Sequence, residues 1–420
     1  MHCFDYLDNV LHAEGVAVPT IADAVGTPSY VYSAAAIARQ YRLLSAGLAG
    51  LDHLICYALK ANSNQAVLKL LADLGCGFDA VSGGEIARVL AAGAPGERIV
   101  FSGVGKTAGE MRDALLCNVR HFNVESEPEL EQLDRIACSL GRAAPVAIRV
   151  NPDVDARTHR KISTGRSEDK FGIPIARALD VYRTAMGMKG IRIVGLDVHI
   201  GSQLTSLAPF EQAYRKAADL VMALRAESVP IDRVDLGGGL GVSYGDTQPQ
   251  PPGIEQYCEL VHRTFGGLGC QVEIEPGRLI VGNAGLLLTS VLYVKQGQGR
   301  QFLVVDAAMN DLLRPAMYDA HHDILPVRRK ESPEWALMDV VGPVCESSDT
   351  FAVQRRLPKP GSGDLLAFGT AGAYCAVMAS EYNSRPLVPE ILVGGDRFAV
   401  VRDRPDIDSI IRRDHVPDWL

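Results

Sequence analysis

The stretch HLICYALKANSNQAVLKLLADLGCGFDAVSGGEIARVLAAG, residues 53–93, decides the fold. It starts with a short β-rich run, His53–Tyr57, and continues into an amphipathic stretch, Asn64–Leu74, in which apolar residues recur every three or four positions. The same order is repeated in Gly77–Val81 and Gly84–Ala92. Strands that alternate with helices predict an α/β fold with parallel strands.

The pattern continues on the C-terminal side to about residue 285. Two further amphipathic stretches, Pro128–Leu140 and Pro209–Ala226, lie between β-rich runs. Eight β-rich runs are found in all: His53–Tyr57, Gly77–Val81, Arg98–Ser102, His121–Val124, Val146–Val150, Gly195–Ile200, Arg233–Leu236 and Gln271–Glu275. Eight strand–helix units in about 235 residues predict a (β/α)8 barrel, which we place at residues 38–285.

Beyond residue 285 the pattern changes, because short β-rich runs follow one another without regular helices. These runs are Leu286–Val294, Gln301–Asp306, Trp335–Val341, Asp364–Phe368 and Pro389–Val393. They predict a mainly antiparallel domain of the β-sandwich or β-barrel type, to which a run around Tyr30–Tyr32 is expected to add a strand. This second domain is predicted to comprise residues 1–37 and 286–420.

The composition favours a protein with a large buried core. Of the 420 residues, 47% are hydrophobic and 22% are charged, which disfavours disorder. The net charge is −8 and the basic residues form no long run, so nucleic acid is not an expected partner. No apolar run approaches the length of a membrane span, and the N-terminal MHCFDYLDNVLHAEGV lacks the apolar core of a secretory signal. We therefore expect no membrane association.

The nine cysteines are scattered, their number is odd, and no CxxC pair occurs. This use of cysteine disfavours a disulfide framework or a zinc site and fits the reducing cytoplasm. The neighbouring His321 and His322 resemble a metal pair, but without a nearby cluster of carboxylate and histidine they are interpreted as a solvent-exposed turn. No metal is expected.

A barrel of this kind carries its active site at the carboxyl ends of the strands. Lys60 follows the first strand. Partial burial at the barrel mouth would favour the neutral amine and make it available as a nucleophile. The alternative is an ordinary surface lysine next to a strand.

The sixth strand leads into His199 and Ser202. A histidine there could stack on a flat ring or move a proton, and a hydrogen-bonded core histidine is the alternative. Ser202 could donate to a phosphate. The seventh strand leads into DLGGGLG, residues 235–241, which lacks the spacing of the dinucleotide-binding GxGxxG motif. Successive glycines nevertheless let backbone N–H groups converge on an anion at the usual phosphate site of such barrels. The alternative is a tight turn that requires positive φ.

The eighth strand ends in EPGR, residues 275–278. Glu275 could hold a proton on a pyridine nitrogen, and Arg278 could bind a carboxylate in a bidentate manner. The alternative is a structural salt bridge between the two. Together, an amine, a ring-stacking group, a phosphate cradle and a partner for a pyridine nitrogen predict a site for pyridoxal 5'-phosphate.

The sequence resembles the fold-type III pyridoxal-phosphate decarboxylases over almost its whole length. The segments that carry the resemblance are YALKAN (57–62), FDAVSGGE (78–85), IRVNPDVDARTH and ISTGRSEDKFGI (within 148–173), HIGSQ (199–203), DLGGGLG (235–241), EPGR (275–278), NDLLRPAMYDA (310–320), GPVCESSD (342–349) and AGAY (371–374). The resemblance implies an alanine-racemase-like (β/α)8 barrel, a C-terminal β domain and a homodimer with shared active sites.

By position, the resemblance also implies a role for each site residue. The catalytic residues would be Lys60, which forms the Schiff base, His199, which stacks on the cofactor ring, and Cys345, which donates the proton after carbon dioxide leaves. Glu275 would face the pyridine nitrogen. The phosphate would be bound by Ser202, Gly238, Gly239, the backbone of Glu275, Pro276, Gly277 and Arg278, and Tyr374. The substrate would be bound by Arg278, Arg314, Tyr318, Glu346 and Tyr374. Cys345 and Glu346 would come from the neighbouring subunit.

Within the family, the sequence is most similar to members that convert meso-2,6-diaminopimelate to L-lysine and carbon dioxide, the last step of bacterial lysine biosynthesis. The end of this substrate that does not react is a zwitterion, so Arg278 and Arg314 suit its carboxylate and Glu346 suits its ammonium. Decarboxylation of ornithine, arginine or carboxynorspermidine, amino-acid racemisation, and a non-catalytic cofactor-binding role are the alternatives. Retention of Lys60, Cys345 and Glu346 argues against the last of these.

Overall fold

The computed structural model describes residues 4–156, 164–165, 170–245 and 249–420. Parts of the similar segments within 148–173 therefore lie outside the described residues. The contacts divide the chain into two compact units. The barrel unit comprises the described residues among 38–242 and 249–280, and the sheet unit comprises those among 1–37, 243–248 and 281–420.

Eight parallel strands of the barrel unit close into a ring, because each strand pairs with the next and the eighth pairs with the first. The strands are His53–Ala58, Gly77–Ala80, Ile99–Phe101, His121–Val124, Ala144–Asn151, Ile191–Asp197, Arg233–Asp235 and Gln271–Ile274. The predicted (β/α)8 barrel is confirmed. A short additional strand, Ile173–Pro174, pairs with the fifth.

The helices found with these strands are Ala34–Gly47, Gln65–Asp73, Gly83–Ala91, Ala108–Leu116, Glu127–Ser139, Ala178–Met186, Ala208–Ala226, Ile254–Phe265 and Arg278–Val281. Several begin at a side-chain cap, in which an oxygen accepts a hydrogen bond from a backbone N–H of the first turn. The caps are Asn64, Ser82, Thr107 and Ser126. Among the described residues, no helix combines the length and the apolar character that a membrane crossing requires.

The largest shift from a predicted strand is in the sixth, which runs over Ile191–Asp197 instead of Gly195–Ile200. The seventh strand has only three residues, Arg233–Asp235, and its pairing with the sixth ends at Asp197. His199 therefore lies beyond the strand, in the connection that follows it.

The sheet unit is mainly antiparallel, as predicted. Its strands are Phe4–Leu7, Val10–Ala13, Val16–Ala17, Ser29–Ser33, Gly285–Gln296, Gln301–Val305, Ile324–Pro326, Trp335–Val341, Thr350–Pro358, Leu365–Phe368, Glu390–Gly394 and Arg397–Arg402. Its helices are Val18–Val25, Arg314–Tyr318 and Ile407–Ile411. Ser29–Ser33 joins this sheet between two other strands, so the expected strand around Tyr30–Tyr32 is confirmed. Two pairings are parallel: Gln301–Val305 with Trp335–Val341, and Ser29–Ser33 with Glu390–Gly394.

The interpretation of His321 and His322 as a solvent-exposed turn is wrong for His322. Its ring is 1% exposed, packs edge-on against Tyr244 with ring centroids 5.3 Å apart, and lies 2.9 Å from the carbonyl oxygen of Gly369 through Nδ1. His321 lies 2.8 Å from the Asp323 carboxylate through Nε2. Tyr244 and Gly369 are distant from His322 in the sequence, so local composition did not indicate that its ring is buried.

Candidate active site

Lys60 lies immediately beyond the first barrel strand, in the 3₁₀-helical turn Leu59–Ala61. Its Nζ donates a hydrogen bond to Oδ2 of Asp79 at 2.7 Å. Asp79 belongs to the second strand and its side chain is fully buried, whereas 38% of the Lys60 side chain is exposed. The Lys60 amine is therefore held by an ion pair and remains accessible to solvent. The partial burial that was expected to favour the neutral amine is accompanied by a negative charge, which favours the protonated form.

Glu275 directly follows the eighth strand and is buried. Its Oε1 accepts hydrogen bonds from Nδ2 of Asn123 and from Oγ of Ser102, each at 3.4 Å. Its backbone N–H donates to the carbonyl oxygen of Gly237 at 2.7 Å. Both the side chain and the backbone of Glu275 are thus fixed in the mouth of the barrel.

The carboxyl group of Glu275 is surrounded by other buried carboxyl groups. Burial raises its pKa well above the ordinary value, the charges of Asp235, Asp79 and Asp197 raise it further, and the charge of Lys60 opposes them. Burial also raises the pKa of Asp235, to about 7. A carboxyl group in this position ionises more readily when a cation is placed beside it. A protonated pyridine nitrogen fits that requirement.

His199 is held in a defined orientation after the sixth strand. Its Nδ1 accepts a hydrogen bond from the backbone N–H of Gly238 at 3.1 Å, which leaves the ring hydrogen on Nε2. Loss of contact with solvent lowers the pKa of His199 well below its ordinary value, and the charges of Arg149 and Lys60 lower it further. A neutral, flat ring is suited to stacking rather than to holding a proton.

The glycine run after the seventh strand is required sterically. A Cβ atom at Gly238 would lie 2.2 Å from the carbonyl oxygen of Glu275, and one at Gly239 would lie 2.4 Å from that of Gly201. Gly237 and Gly239 have φ of +61° and +110°, which glycine adopts most easily. The run thus brings the loops after strands six, seven and eight together. Since the Gly238 N–H is bonded to His199, Gly238 contributes close approach rather than a free donor.

Arg278 and Ser202 meet in the same part of the barrel unit. Nη2 of Arg278 donates to Oγ of Ser202 at 3.1 Å, and Arg278 is 4% exposed. The neighbouring Pro276 accepts a hydrogen bond from the backbone N–H of Ala58 at 3.2 Å, two residues before Lys60. The EPGR segment is therefore joined both to the first strand and to the loop after the sixth.

The sequence did not indicate the polar network inside the barrel that supports this site. Asn123 donates to Oδ2 of Asp235 at 3.2 Å and to Oγ of Ser102 at 3.1 Å, in addition to Glu275. Together with Asp79, these residues lie in or next to short, buried strands. A polar residue within such a strand was the available signal, since burying it without a hydrogen bond costs free energy.

In the sheet unit, Arg314 and Tyr318 lie on one short helix, Arg314–Tyr318. The guanidinium carbon of Arg314 lies 5.6 Å from the ring centroid of Tyr318 and 5.4 Å from that of Tyr244. Arg314 is 6% exposed, and its Nε has no acceptor among the described residues. A buried guanidinium with an unused donor fits an anionic ligand such as a carboxylate.

Cys345 and Glu346 are exposed in the sheet unit. The Cys345 N–H donates to Oδ1 of Asn383 at 3.3 Å, and Oε2 of Glu346 accepts a hydrogen bond from the Tyr382 hydroxyl at 3.2 Å. Tyr374 has φ of +56°, so its backbone adopts a conformation that few residues take. The barrel unit thus contains most of the residues expected around a cofactor, whereas Arg314, Tyr318, Tyr374, Cys345 and Glu346 belong to the sheet unit.

Comparisons with known proteins show the family to which the chain belongs. Residues 34–282 match the family described as pyridoxal-dependent decarboxylase, pyridoxal binding domain. The chain is 50% identical to a diaminopimelate decarboxylase of Pseudomonas aeruginosa, with 98% of each chain covered. It is 45% identical to a diaminopimelate decarboxylase of Zymomonas mobilis, with 99% of each chain covered.

Solved structures give the same result. The chain resembles the diaminopimelate decarboxylase of Helicobacter pylori complexed with L-lysine, with a TM-score of 0.90, 42% identity, and coverage of 94% of this chain and 98% of that one. It also resembles the diaminopimelate decarboxylase of M. jannaschii in complex with L-lysine, with a TM-score of 0.94, 36% identity and coverage of 99% and 98%. A lysine/ornithine decarboxylase of Vibrio vulnificus is less similar, with a TM-score of 0.79, 26% identity and coverage of 90% and 97%.

Proposed function

Since the chain belongs to the family of pyridoxal-dependent decarboxylases, we propose that it converts meso-2,6-diaminopimelate to L-lysine and carbon dioxide, with pyridoxal 5'-phosphate held by Lys60. One observation carries the assignment of the site. Backbone hydrogen bonds join the segments that hold the amine, the carboxyl group and the imidazole: Ala58, two residues before Lys60, donates to Pro276, Glu275 donates to Gly237, and Gly238 donates to Nδ1 of His199.

The residues of the barrel unit fit this cofactor. Lys60 would hold it covalently, His199 would lie against its ring, and Glu275 would pair with the pyridine nitrogen. Ser202 and the glycine run, with the EPGR backbone, would surround the phosphate. When bound, the cofactor supplies an electron sink for the electron pair left by the departing carbon dioxide.

The protein groups have separate tasks in this scheme. Asp79 orients Nζ of Lys60 through their hydrogen bond. The Gly238 N–H fixes the plane of the His199 ring through Nδ1. Beside a protonated pyridine nitrogen, Glu275 would be held as an ionised carboxylate and would keep the proton on that nitrogen. Cys345 would deliver a proton from Sγ to the carbon that loses its carboxylate.

Substrate recognition would depend on the end of diaminopimelate that does not react. Arg314 offers a buried guanidinium with an unused Nε–H, which suits the distal carboxylate. Arg278 and Tyr318 would assist it, and Glu346 would pair with the distal ammonium. Ornithine has no distal carboxylate, so it would leave the Arg314 guanidinium without its anion.

We further propose a homodimer that shares its active sites, with Cys345 and Glu346 serving the neighbouring subunit. Both residues are exposed in the single chain. The sheet unit also exposes large apolar side chains, with Tyr293 at 68%, Leu337 at 55% and Val353 at 60%, and such surfaces favour association. Mixing Lys60→Ala subunits with Cys345→Ala subunits would restore activity in one of the two composite sites. If the two kinds of subunit exchange and no activity is recovered, the proposal that the active sites are shared between subunits is contradicted.

We also propose a cytoplasmic location. All eight cysteines of the described residues are free thiols, as expected in a reducing compartment. Recovery of the activity in the periplasmic fraction of a bacterial host that makes the protein with its native N-terminus would contradict this location.

The function is tested by measuring the release of carbon dioxide from meso-diaminopimelate and from ornithine by the purified protein. We expect L-lysine and carbon dioxide from the first substrate, and no turnover of the second. The protein should be yellow, and borohydride should bleach it. Faster turnover of ornithine, or racemisation without release of carbon dioxide, would overturn the proposed function.

A further inference from the structure

A cavity of about 450 Å³ opens in the barrel unit at the end of the barrel where the strands begin. Four arginines line it, Arg120, Arg142, Arg192 and Arg233. The only carboxylate among its described lining residues belongs to Glu97. The mouth that holds Lys60 lies at the opposite ends of the same strands, so this cavity belongs to a different site.

The backbone explains why the four arginines converge. Arg120 directly precedes the fourth strand, and Arg142 lies two residues before the fifth. Arg192 is the second residue of the sixth strand, and Arg233 is the first residue of the seventh. Since the strands are parallel and adjacent, their amino ends meet at one face of the barrel.

Two of the four guanidinium groups have partners inside the barrel. Nε of Arg120 lies 2.5 Å from Oε1 of Glu273, so its charge is largely neutralised. Nη1 of Arg233 lies 3.5 Å from Nδ1 of His121. Because His121 has a pKa lowered to about 4, chiefly by burial, it is a neutral partner at pH 7. The charge of Arg233 is therefore not cancelled by this contact.

The other two guanidinium groups meet no carboxylate of the described residues. Arg142 donates to the carbonyl oxygen of Leu115 and to Oδ1 of Asn118, at 2.5 Å and 2.8 Å, and both acceptors are neutral. Arg192 is exposed and forms no hydrogen bond or ion pair with the described part of the chain. The cavity thus has an excess of positive charge over Glu97.

The arginines also repel one another. Burial lowers the pKa of Arg233, and the charges of Arg120 and Arg192 lower it further, against the opposing effects of Glu273 and Asp232. An anion bound between these guanidinium groups would offset their mutual repulsion. The planar guanidinium group is suited to phosphate oxygens, which it can bind with two parallel hydrogen bonds.

We propose that this cavity is a binding site for a small oxyanion with more than one negative charge, namely a diphosphate group, held by Arg142, Arg192 and Arg233. Its volume lies within the range of small-ligand pockets, about 300–1,000 Å³. Free pyrophosphate and the diphosphate of a nucleotide share this chemistry. Leu115, Val119 and Pro145 give the cavity an apolar wall that the organic part of a nucleotide would contact. The inference does not rest on the proposed decarboxylase activity.

The test is isothermal titration of the full-length protein with inorganic pyrophosphate and, in a second arm, with ADP. The protein is first saturated with pyridoxal 5'-phosphate, so that the phosphate site near Lys60 is filled. The variants are Arg192→Gln and Arg142→Gln. The matched control is Arg215→Gln, on the outer helix Ala208–Ala226, where the side chain is 71% exposed and its Nη2 lies 3.5 Å from Glu211.

We expect saturable binding of one anion per chain, weakened about tenfold or more by Arg192→Gln or by Arg142→Gln, and changed less than about twofold by Arg215→Gln. Tighter binding of ADP than of pyrophosphate, lost in the same variants, would assign a nucleotide as the ligand, and equal affinities would assign the diphosphate alone.

Turnover of diaminopimelate and the melting temperature confirm that each variant is folded. Absence of saturable binding to the wild-type protein, or equal weakening by Arg215→Gln and Arg192→Gln, would overturn the proposal.

Discussion

Nζ of Lys60 lies 2.7 Å from Oδ2 of Asp79, and the two side chains connect the first and second strands of the barrel. Asp79 is paired in register with Ala58, two residues before Lys60. The lysine side chain therefore reaches across to the neighbouring strand, to a carboxylate that is fully buried. The position of the reactive amine thus depends on a residue that lies outside the YALKAN segment.

We expect Asp79→Asn to lower kcat by about 10- to 100-fold, with a smaller change in KM. The amide retains the size of the side chain but loses the negative charge that orients the amine, and small displacements of a reacting group have effects of about this size. Steady-state kinetics and the melting temperature of the variant are the measurements. An unchanged kcat would show that Asp79 does not position Lys60.

Glu275→Gln should lower kcat by about 100-fold or more, while the protein still binds its cofactor and stays yellow. The amide can keep the contacts with Asn123 and Ser102 but cannot carry the negative charge that would hold a proton on the pyridine nitrogen. Absorbance spectra and single-turnover rates separate these effects. A variant with full activity would refute the role of Glu275.

Arg314→Lys should raise KM for diaminopimelate by about tenfold or more, because lysine keeps the charge but loses the planar fork that binds a carboxylate. The matched control is Arg356→Lys, whose guanidinium carbon lies 4.9 Å from the ring centroid of Trp335. That substitution also removes a guanidinium group from an aromatic ring, and it should leave KM unchanged. Equal effects of the two substitutions would contradict recognition by Arg314.

His121 should make the stability of the protein fall in acid. In the unfolded chain its imidazole takes up a proton near pH 6.5, whereas in the folded chain it does so only near pH 4. The unfolded state binds more protons in this window, so the free energy of unfolding falls as the pH decreases from 6.5 to 4, by at most about 3 kcal/mol from this group.

Melting temperatures of the wild type and of His121→Gln, measured between pH 4 and 7, test this expectation. The variant should lose less stability on acidification, while His415→Gln, at an exposed position near the C-terminus, should behave like the wild type. Parallel curves for the wild type and His121→Gln would contradict the assignment.

The barrel could be predicted from the sequence because its strands and helices differ in period. Each of the eight predicted strands overlaps an observed one, since β-rich runs such as His121–Val124 are bounded by turns and followed by amphipathic helices. The strands Thr350–Pro358 and Arg397–Arg402 were missed. They contain arginines and exposed positions, so no continuous apolar run marked them.

The residues around the candidate site were predictable to different degrees. Lys60, His199 and Glu275 lie just after strands, in the connections at the carboxyl ends, where a barrel carries its active site. Asp79 and Asn123 were not predictable in the same way, because a strand of four residues is too short to show which side chains point into the barrel. The partners of Arg314 are set by tertiary packing, and no local pattern predicts them.

The covalent attachment of the cofactor is the claim on which the account depends. The purified protein, loaded with pyridoxal 5'-phosphate, is reduced with borohydride and digested, and the peptides are analysed by mass spectrometry. We expect the phosphopyridoxyl group on Nζ of Lys60 and its loss in Lys60→Ala. An adduct on a different lysine, or a fully active protein that carries no adduct, would contradict the account.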